Sequence, residues 1–199
     1  RRYGQWASGD YAIAKSIDEY QQMYQPYLPG EYREVGRPIR VTPLYDLLKL
    51  KGAIFADTYG WERPKWFARP GVYEIYGFRR SNWFDAVGKE CKAVRERVGI
   101  TDLSSFSKYH VKGPDAESFL KRVCANHLPG DKNRIVLSQM LTERGGIECE
   151  ATVTKLSSDH YYLLSAPAAE QHDFDWLVQH VNREENVEVI NISKENHKP

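Results

Sequence analysis

The stretch LTERGGIECEATVTKLSSDHYYLLSA, residues 141–166, decides the fold. From Glu150 onward it alternates: Glu150, Thr152 and Thr154 fall on one strand face, Ala151, Val153 and Lys155 on the other. HYYLLSA (160–166) is a second strand-like run, and the Ser157-Ser158-Asp159 step between the two has turn composition. Two such runs around a tight turn predict a β-hairpin. Gly145-Gly146 marks a further turn ahead of it.

Working outward, RIVLSQMLT (134–142), SFSKYHVKG (105–113) and NVEVINI (186–192) add three more strands. GPDAESFLKRV (113–123) places Pro114 in a first turn and puts Ala116, Phe119, Leu120 and Val123 on one helix face. AAEQHDFDWLVQHVN (168–182) turns Trp176, Leu177, His180 and Val181 inward. NWFDAVGKECKAVRERVGI (82–100) carries Phe84, Val87, Cys91, Val94 and Val98 on one apolar face, with Gly99 as its stop. Residues 81–199 therefore read as a compact α/β unit.

Residues 1–80 have a different texture, rich in Tyr, Pro, Arg and Gly. DYAIAKSIDEYQQMY (10–24) predicts a short helix started by Asp10. VTPLYDLLKLKG (41–52) predicts a helix capped by Thr42, with Pro43 in its first turn and Gly52 ending it. GWERPKWFARPG (60–71) reads as a proline-punctuated loop. Trp61, Trp66 and Phe67 are expected to pack, and Tyr73 and Tyr76 to lie at an interface.

At 199 residues the chain is long enough for a core without covalent staples. Its net charge of +1 gives no global field for nucleic acid or an anionic membrane, and Arg79-Arg80 and Lys194–Lys198 are too small as basic patches. No apolar run approaches the ~20 residues of a membrane span. The three cysteines, Cys91, Cys124 and Cys149, make no disulfide framework and suit a reducing compartment. The glycosylation tripeptide Asn191-Ile192-Ser193 has no secretory signal before it. The chain begins at Arg1 and ends at Pro199, and both ends read as cuts or processing sites.

Neither G-x-G-x-x-G nor the P-loop pattern is present. Cys124 and His127 lack a second pair at zinc-site spacing, and His172 and His180 are eight apart, so a structural role is expected and no metal site. Cys91 lies on an apolar helix face and reads as core; Cys149, next to Glu150, faces the opposite side of its strand. By pattern alone Glu150, Thr152 and Thr154 make a solvated face.

AVRERVGITDLSSFSKYHVKGPDAESFLKRVCAN, QMLTERGGIECEATVTKL and HYYLLSA resemble the folate-binding aminomethyltransferase (glycine cleavage T-protein-like) domain. The resemblance is to the copy fused to sarcosine and dimethylglycine dehydrogenases. GRPIRVTPLYDLLKLKGAIFADTYGWERPKWF (36–67) resembles the segment that joins flavin and folate domains there, so the resemblance spans about residues 3–193. It implies an α/β (α+β) fold: a mostly antiparallel sheet with packed helices, preceded by an irregular helix/loop extension. Residues 1–80 would be the joining segment and 81–199 a partial folate-binding domain.

The resemblance also implies a function. A flavin (FAD) domain oxidises an N-methyl amine to an iminium, and the folate domain traps the one-carbon unit on tetrahydrofolate. Carried over position by position, the family's key aspartate falls on Glu150. Phe106, Thr152, Tyr162, Leu164 and Ala166 fall on cofactor-binding positions, Ala166 where stand-alone members have Asn. Glutamate for aspartate moves the carboxylate by roughly 1.5 Å, a large step for chemistry that depends on positioning. The flavin region and the rest of the folate domain would lie outside residues 1–199. The expected partner is accordingly a flavin-domain half or a larger protein assembly, with no nucleic acid and no membrane span. A non-catalytic structural or regulatory subunit of such an assembly is the alternative. Animal members of the family are in the mitochondrial matrix and bacterial ones in the cytoplasm.

Overall fold

Residues 8–193 are described by a computed structural model, in which they divide into two units, 8–105 and 106–193. In the first unit, α1 (Gly9–Gln21) and α2 (Tyr45–Leu50) precede a hairpin of β1 (Ala53–Thr58) and β2 (Trp61–Phe67), and α3 (Phe84–Glu96) follows. Helix α1 starts at Gly9, one residue before the predicted Asp10. Ser8 is its cap, with Oγ accepting from Tyr11 N at 3.2 Å, and it ends at Gln21. Thr42 does not cap α2; its hydroxyl donates to Asp102 Oδ2, and Leu44 takes the cap position without a side-chain bond.

The predicted loop at 60–71 is largely strand. Thr58 pairs with Trp61 across Tyr59-Gly60, whose φ values of 53° and 84° are those of a two-residue hairpin turn. Pro64 is tolerated because a two-stranded ribbon has only edge strands, and the ladder shifts register opposite it, at Ile54/Phe55. Trp61 and Trp66 are buried, as packing aromatics, whereas Tyr73 is exposed. Arg40 stacks on Trp61, its guanidinium carbon 3.9 Å from the ring centroid. Arg37 grips Glu62 through Nε (2.8 Å) and Nη2 (2.6 Å), and Nη2 also donates to the Phe55 carbonyl.

The apolar face expected on α3 forms but is not covered among the described residues. Phe84 and Val94 are exposed, Cys91, expected in the core, is exposed with them, and Val98 lies exposed past the helix end at Glu96. Apolar periodicity identifies the face that seeks cover; it does not supply the cover.

The second unit holds β3 (Ser107–Lys112), α4 (Ala116–Val123), β4 (Ile135–Leu141), β5 (Ile147–Ser157), β6 (His160–Ser165), α5 (Glu170–Gln179) and β7 (Glu188–Asn191). Its strands form one antiparallel sheet in the order β4-β5-β6-β3-β7. One face of that sheet packs on α4 and α5. Tyr109, Val111, Met140, Val153, Tyr161 and Leu163 meet Phe119, Leu120 and Leu177 there, every one of them at most 1% exposed. Each large side chain buried in this way contributes roughly 1.5–3 kcal/mol. All four residues predicted on the α4 face are buried. The Asn191-Ile192-Ser193 tripeptide belongs to this unit: Asn191 donates to Glu170 and Ser193 is fully buried. Lys194–Lys198 lies outside the described residues.

Candidate functional site

The sheet face away from α4 and α5 brings together most of the residues singled out in the sequence. Along β5, Cys149, Ala151 and Val153 are buried, while Glu150 is exposed and Thr152 and Thr154 are half-buried. Along β6, Tyr161, Leu163 and Ser165 point into the core, and Tyr162 and Leu164 take the other face. Thr152 pairs with Leu164 and Thr154 with Tyr162, so the four side chains form adjacent cross-strand pairs on one surface. Ala166 is exposed just past β6, and Phe106 is half-buried just before β3. The two strand ends are tied by Ser107 Oγ, which donates to the Ala166 carbonyl at 3.0 Å.

The same face carries residues that the sequence reading passed over. Gln139 is the direct partner of Glu150 on β4, and Leu137 that of Thr152. Lys108 pairs with Leu164, and its ammonium donates to the Phe106 carbonyl at 2.7 Å. His110 pairs with Tyr162 and meets His160 nitrogen to nitrogen at 2.7 Å. No local pattern marks these positions, because they are set by register between strands distant in sequence.

Glu150 is preceded by an irregularity. Met140 pairs with Cys149 and Leu141 with Ile147, which leaves Glu148 as the extra residue of a β-bulge. A bulge re-aims a side chain. Glu148 accordingly meets His172 of α5 at 2.9 Å, and the other nitrogen of that ring meets the buried Asp173 at 3.0 Å. The bond to Asp173, with Glu148 in addition, raises the His172 pKa. Burial and Lys112 lower that of His160, with Asp159 opposing.

These shifts predict opposite pH limbs. The contribution of His172 is present below its unfolded pKa of ~6.5 and lost as pH rises through its raised folded value. That of His160 is present above ~6.5 and lost as pH falls through its lowered folded value. The thermal midpoint should therefore peak near pH ~6.5. His172→Gln should flatten the alkaline side and His160→Gln the acid side, each by only about 1–2 °C because both rings are partly solvated. Melting curves from pH 5 to 8 on the three proteins check this; alkaline slopes that match with and without His172 would rule out its contribution.

The CANH segment (124–127) has another use. Cys124 forms a bridge with Met140, Ala125 N donates to the Gln139 carbonyl at 2.8 Å, and Asn126 Nδ2 donates to the Leu137 carbonyl at 2.9 Å. This segment covers the outer edge of β4. Burial pushes the Cys124 thiol up to about 11 and that of Cys149 to about 12, so both are held as unreactive thiols. Among the described residues no three His, Cys, Asp or Glu side chains converge as a metal site.

Residues 44–198 match the family described as GCVT N-terminal domain. The chain is 40% identical over 200 residues to the mitochondrial dimethylglycine dehydrogenase of Rattus norvegicus, which covers 98% of this chain and 23% of that protein. It is 31% identical over 195 residues to the mitochondrial pyruvate dehydrogenase phosphatase regulatory subunit of Mus musculus, covering 94% of this chain and 22% of that protein. The chain thus spans about a quarter of the length of these relatives. Among solved structures, the aminomethyltransferase T of the glycine cleavage system from Bartonella henselae superposes with a TM-score of 0.58 at 25% identity. The superposition covers 77% of this chain and 38% of that one.

Proposed function

The chain belongs to the GCVT N-terminal domain family, and from that premise we propose that it is the partial folate-binding module of a demethylating flavoprotein of the sarcosine/dimethylglycine dehydrogenase type. The observation that carries this reading is the shared sheet face: Glu150, Thr152, Tyr162 and Leu164 stand side by side on it. The residues suit a pterin. Tyr162 offers a half-buried ring, Leu164 and Leu137 offer apolar surface, and Glu150 offers a carboxylate that reaches solvent.

When bound, tetrahydrofolate supplies the amine nitrogens that accept the one-carbon unit as the 5,10-methylene form. Tyr162 and Leu164 would flank the pterin ring, with Phe106 and Ala166 at the strand ends and the Thr152 hydroxyl as a polar contact. The Glu150 carboxylate would take a proton or steady positive charge beside the ring. Residues 1–80 are read as the segment that joins a flavin domain to residues 81–199. FAD would be held by that flavin half, in the same polypeptide or in a partner. The matrix of mitochondria is the proposed location in a eukaryote, the cytoplasm in a bacterium.

A second reading is a non-catalytic regulatory or structural subunit of a larger assembly. The similarity to a phosphatase regulatory subunit favours it, as does glutamate at the position of the family's aspartate. Calorimetry with tetrahydrofolate separates the two. Micromolar binding by the chain, weakened at least about tenfold in Glu150→Ala, is expected for a charge-assisted contact. Binding by neither protein would favour the second reading.

A further inference from the structure

Gln139 stands directly opposite Glu150 in the β4–β5 ladder, and its Nε2 donates to Glu150 Oε2 at 2.8 Å. Its own backbone is fixed from the other side: the Gln139 carbonyl accepts from Ala125 N at 2.8 Å, and the neighbouring Ser138 Oγ accepts from Asn126 N at 3.1 Å. The residues run in a line from the edge cover at 124–126, through Gln139, to the carboxylate. Two residues before Glu150, Glu148 is anchored by His172. The backbone is therefore held opposite Glu150 on β4 and just ahead of it on β5, while the carboxylate is held by a side-chain amide.

We propose that Gln139 is the positioning residue of the site, holding the Glu150 carboxylate in one orientation on the ligand-binding face. The inference rests on the folate reading of that face. Its physical basis is conformational. Glutamate has one more rotatable bond than aspartate, and an exposed glutamate samples several rotamers. An amide N–H donated to one oxygen selects among them and leaves the second oxygen for a ligand donor. A site that depends on placement then gains from Gln139 although Gln139 touches no ligand itself.

The test is a double-substitution cycle on the 199-residue chain with tetrahydrofolate calorimetry. The proteins are the unsubstituted chain, Gln139→Leu, Glu150→Ala and the pair; Gln139→Leu keeps the bulk and removes the donor. Gln139→Leu is expected to weaken binding about 5- to 10-fold, the scale of one charge-assisted hydrogen bond near the surface. In the Glu150→Ala background the same change should do nothing further. The side-chain amide resonances of Gln139 in the ligand-free protein give a second readout and should move in Glu150→Ala. A thermal midpoint unchanged by Gln139→Leu separates positioning from folding. Full affinity in Gln139→Leu, with affinity lost in Glu150→Ala, overturns the inference alone, as does a Gln139→Leu loss that persists without Glu150. No binding by the unsubstituted chain overturns the folate reading and the inference together.

Discussion

Gly113→Ala is expected to destabilise residues 106–193 severely. Gly113 sits where β3 turns into α4, at φ 128°, a backbone conformation that side chains with a Cβ rarely adopt. A Cβ there would stand 2.0 Å from the Asn186 carbonyl oxygen, 3.0 Å from its carbon and 3.2 Å from Val187 Cα. All three are backbone atoms leading into β7, so no flexible side chain can yield. Gly113 also donates to Asp159 O at 2.9 Å and accepts from Ala116 N at 3.0 Å, which fixes it on both sides. Strain plus displaced backbone puts the expected loss above about 4 kcal/mol, against a total stability of roughly 5–15 kcal/mol for a domain. Gly130→Ala, where an added Cβ meets nothing within 4 Å, is the control and should be near neutral. Urea denaturation followed by circular dichroism compares them; a Gly113→Ala midpoint close to that of Gly130→Ala would refute the close approach.

Arg37→Met should be nearly as damaging to residues 8–105. The side chains of Arg37 and Glu62 are 10% and 3% exposed, and their contact is bidentate. The bond to Glu62, with its charge beside it, raises the Arg37 pKa despite burial. Removing one partner of a buried pair strands the other charge in a low-dielectric site, at about 3–5 kcal/mol. The Phe55 carbonyl loses its Nη2 donor as well. The double substitution Arg37→Met/Glu62→Leu removes both charges and should recover most of the loss. Fluorescence of the buried Trp61 and Trp66 follows this unfolding. A single substitution costing under about 1 kcal/mol, the range of exposed pairs, would show that the pair is solvated in solution.

The sequence made different parts of the molecule readable to different degrees. Residues 106–193 were readable because periodicity and core agree: α4 buries Ala116, Phe119, Leu120 and Val123, and β5 and β6 alternate as the pattern requires. Strand β2 was not, since Pro64 argues against a strand unless the strand is known to be an edge. Cys91 was misread for a related reason: its helix face is apolar, and whether anything covers it is a nonlocal matter. For the candidate site, the alternation puts Glu150 with Thr152 and Tyr162 with Leu164, each pair on one side of its own strand; the β5–β6 register brings the two pairs onto one face, and the family resemblance supplies their proposed roles. Gln139, Leu137 and Lys108 were invisible, because only the register of β4 and β3 brings them beside those residues.

The segment over β4 also sets the direction in which the sheet can grow. With Ala125 and Asn126 bonded to the Gln139 and Leu137 carbonyls, the middle of that strand has no vacant acceptors for an incoming chain. At the opposite end, β7 pairs only with β3 among the described residues. The sheet is thus polar in the way a polymer with one blocked end is polar: the middle of β4 is closed to a further strand, while β7 has a strand on one side only among the described residues.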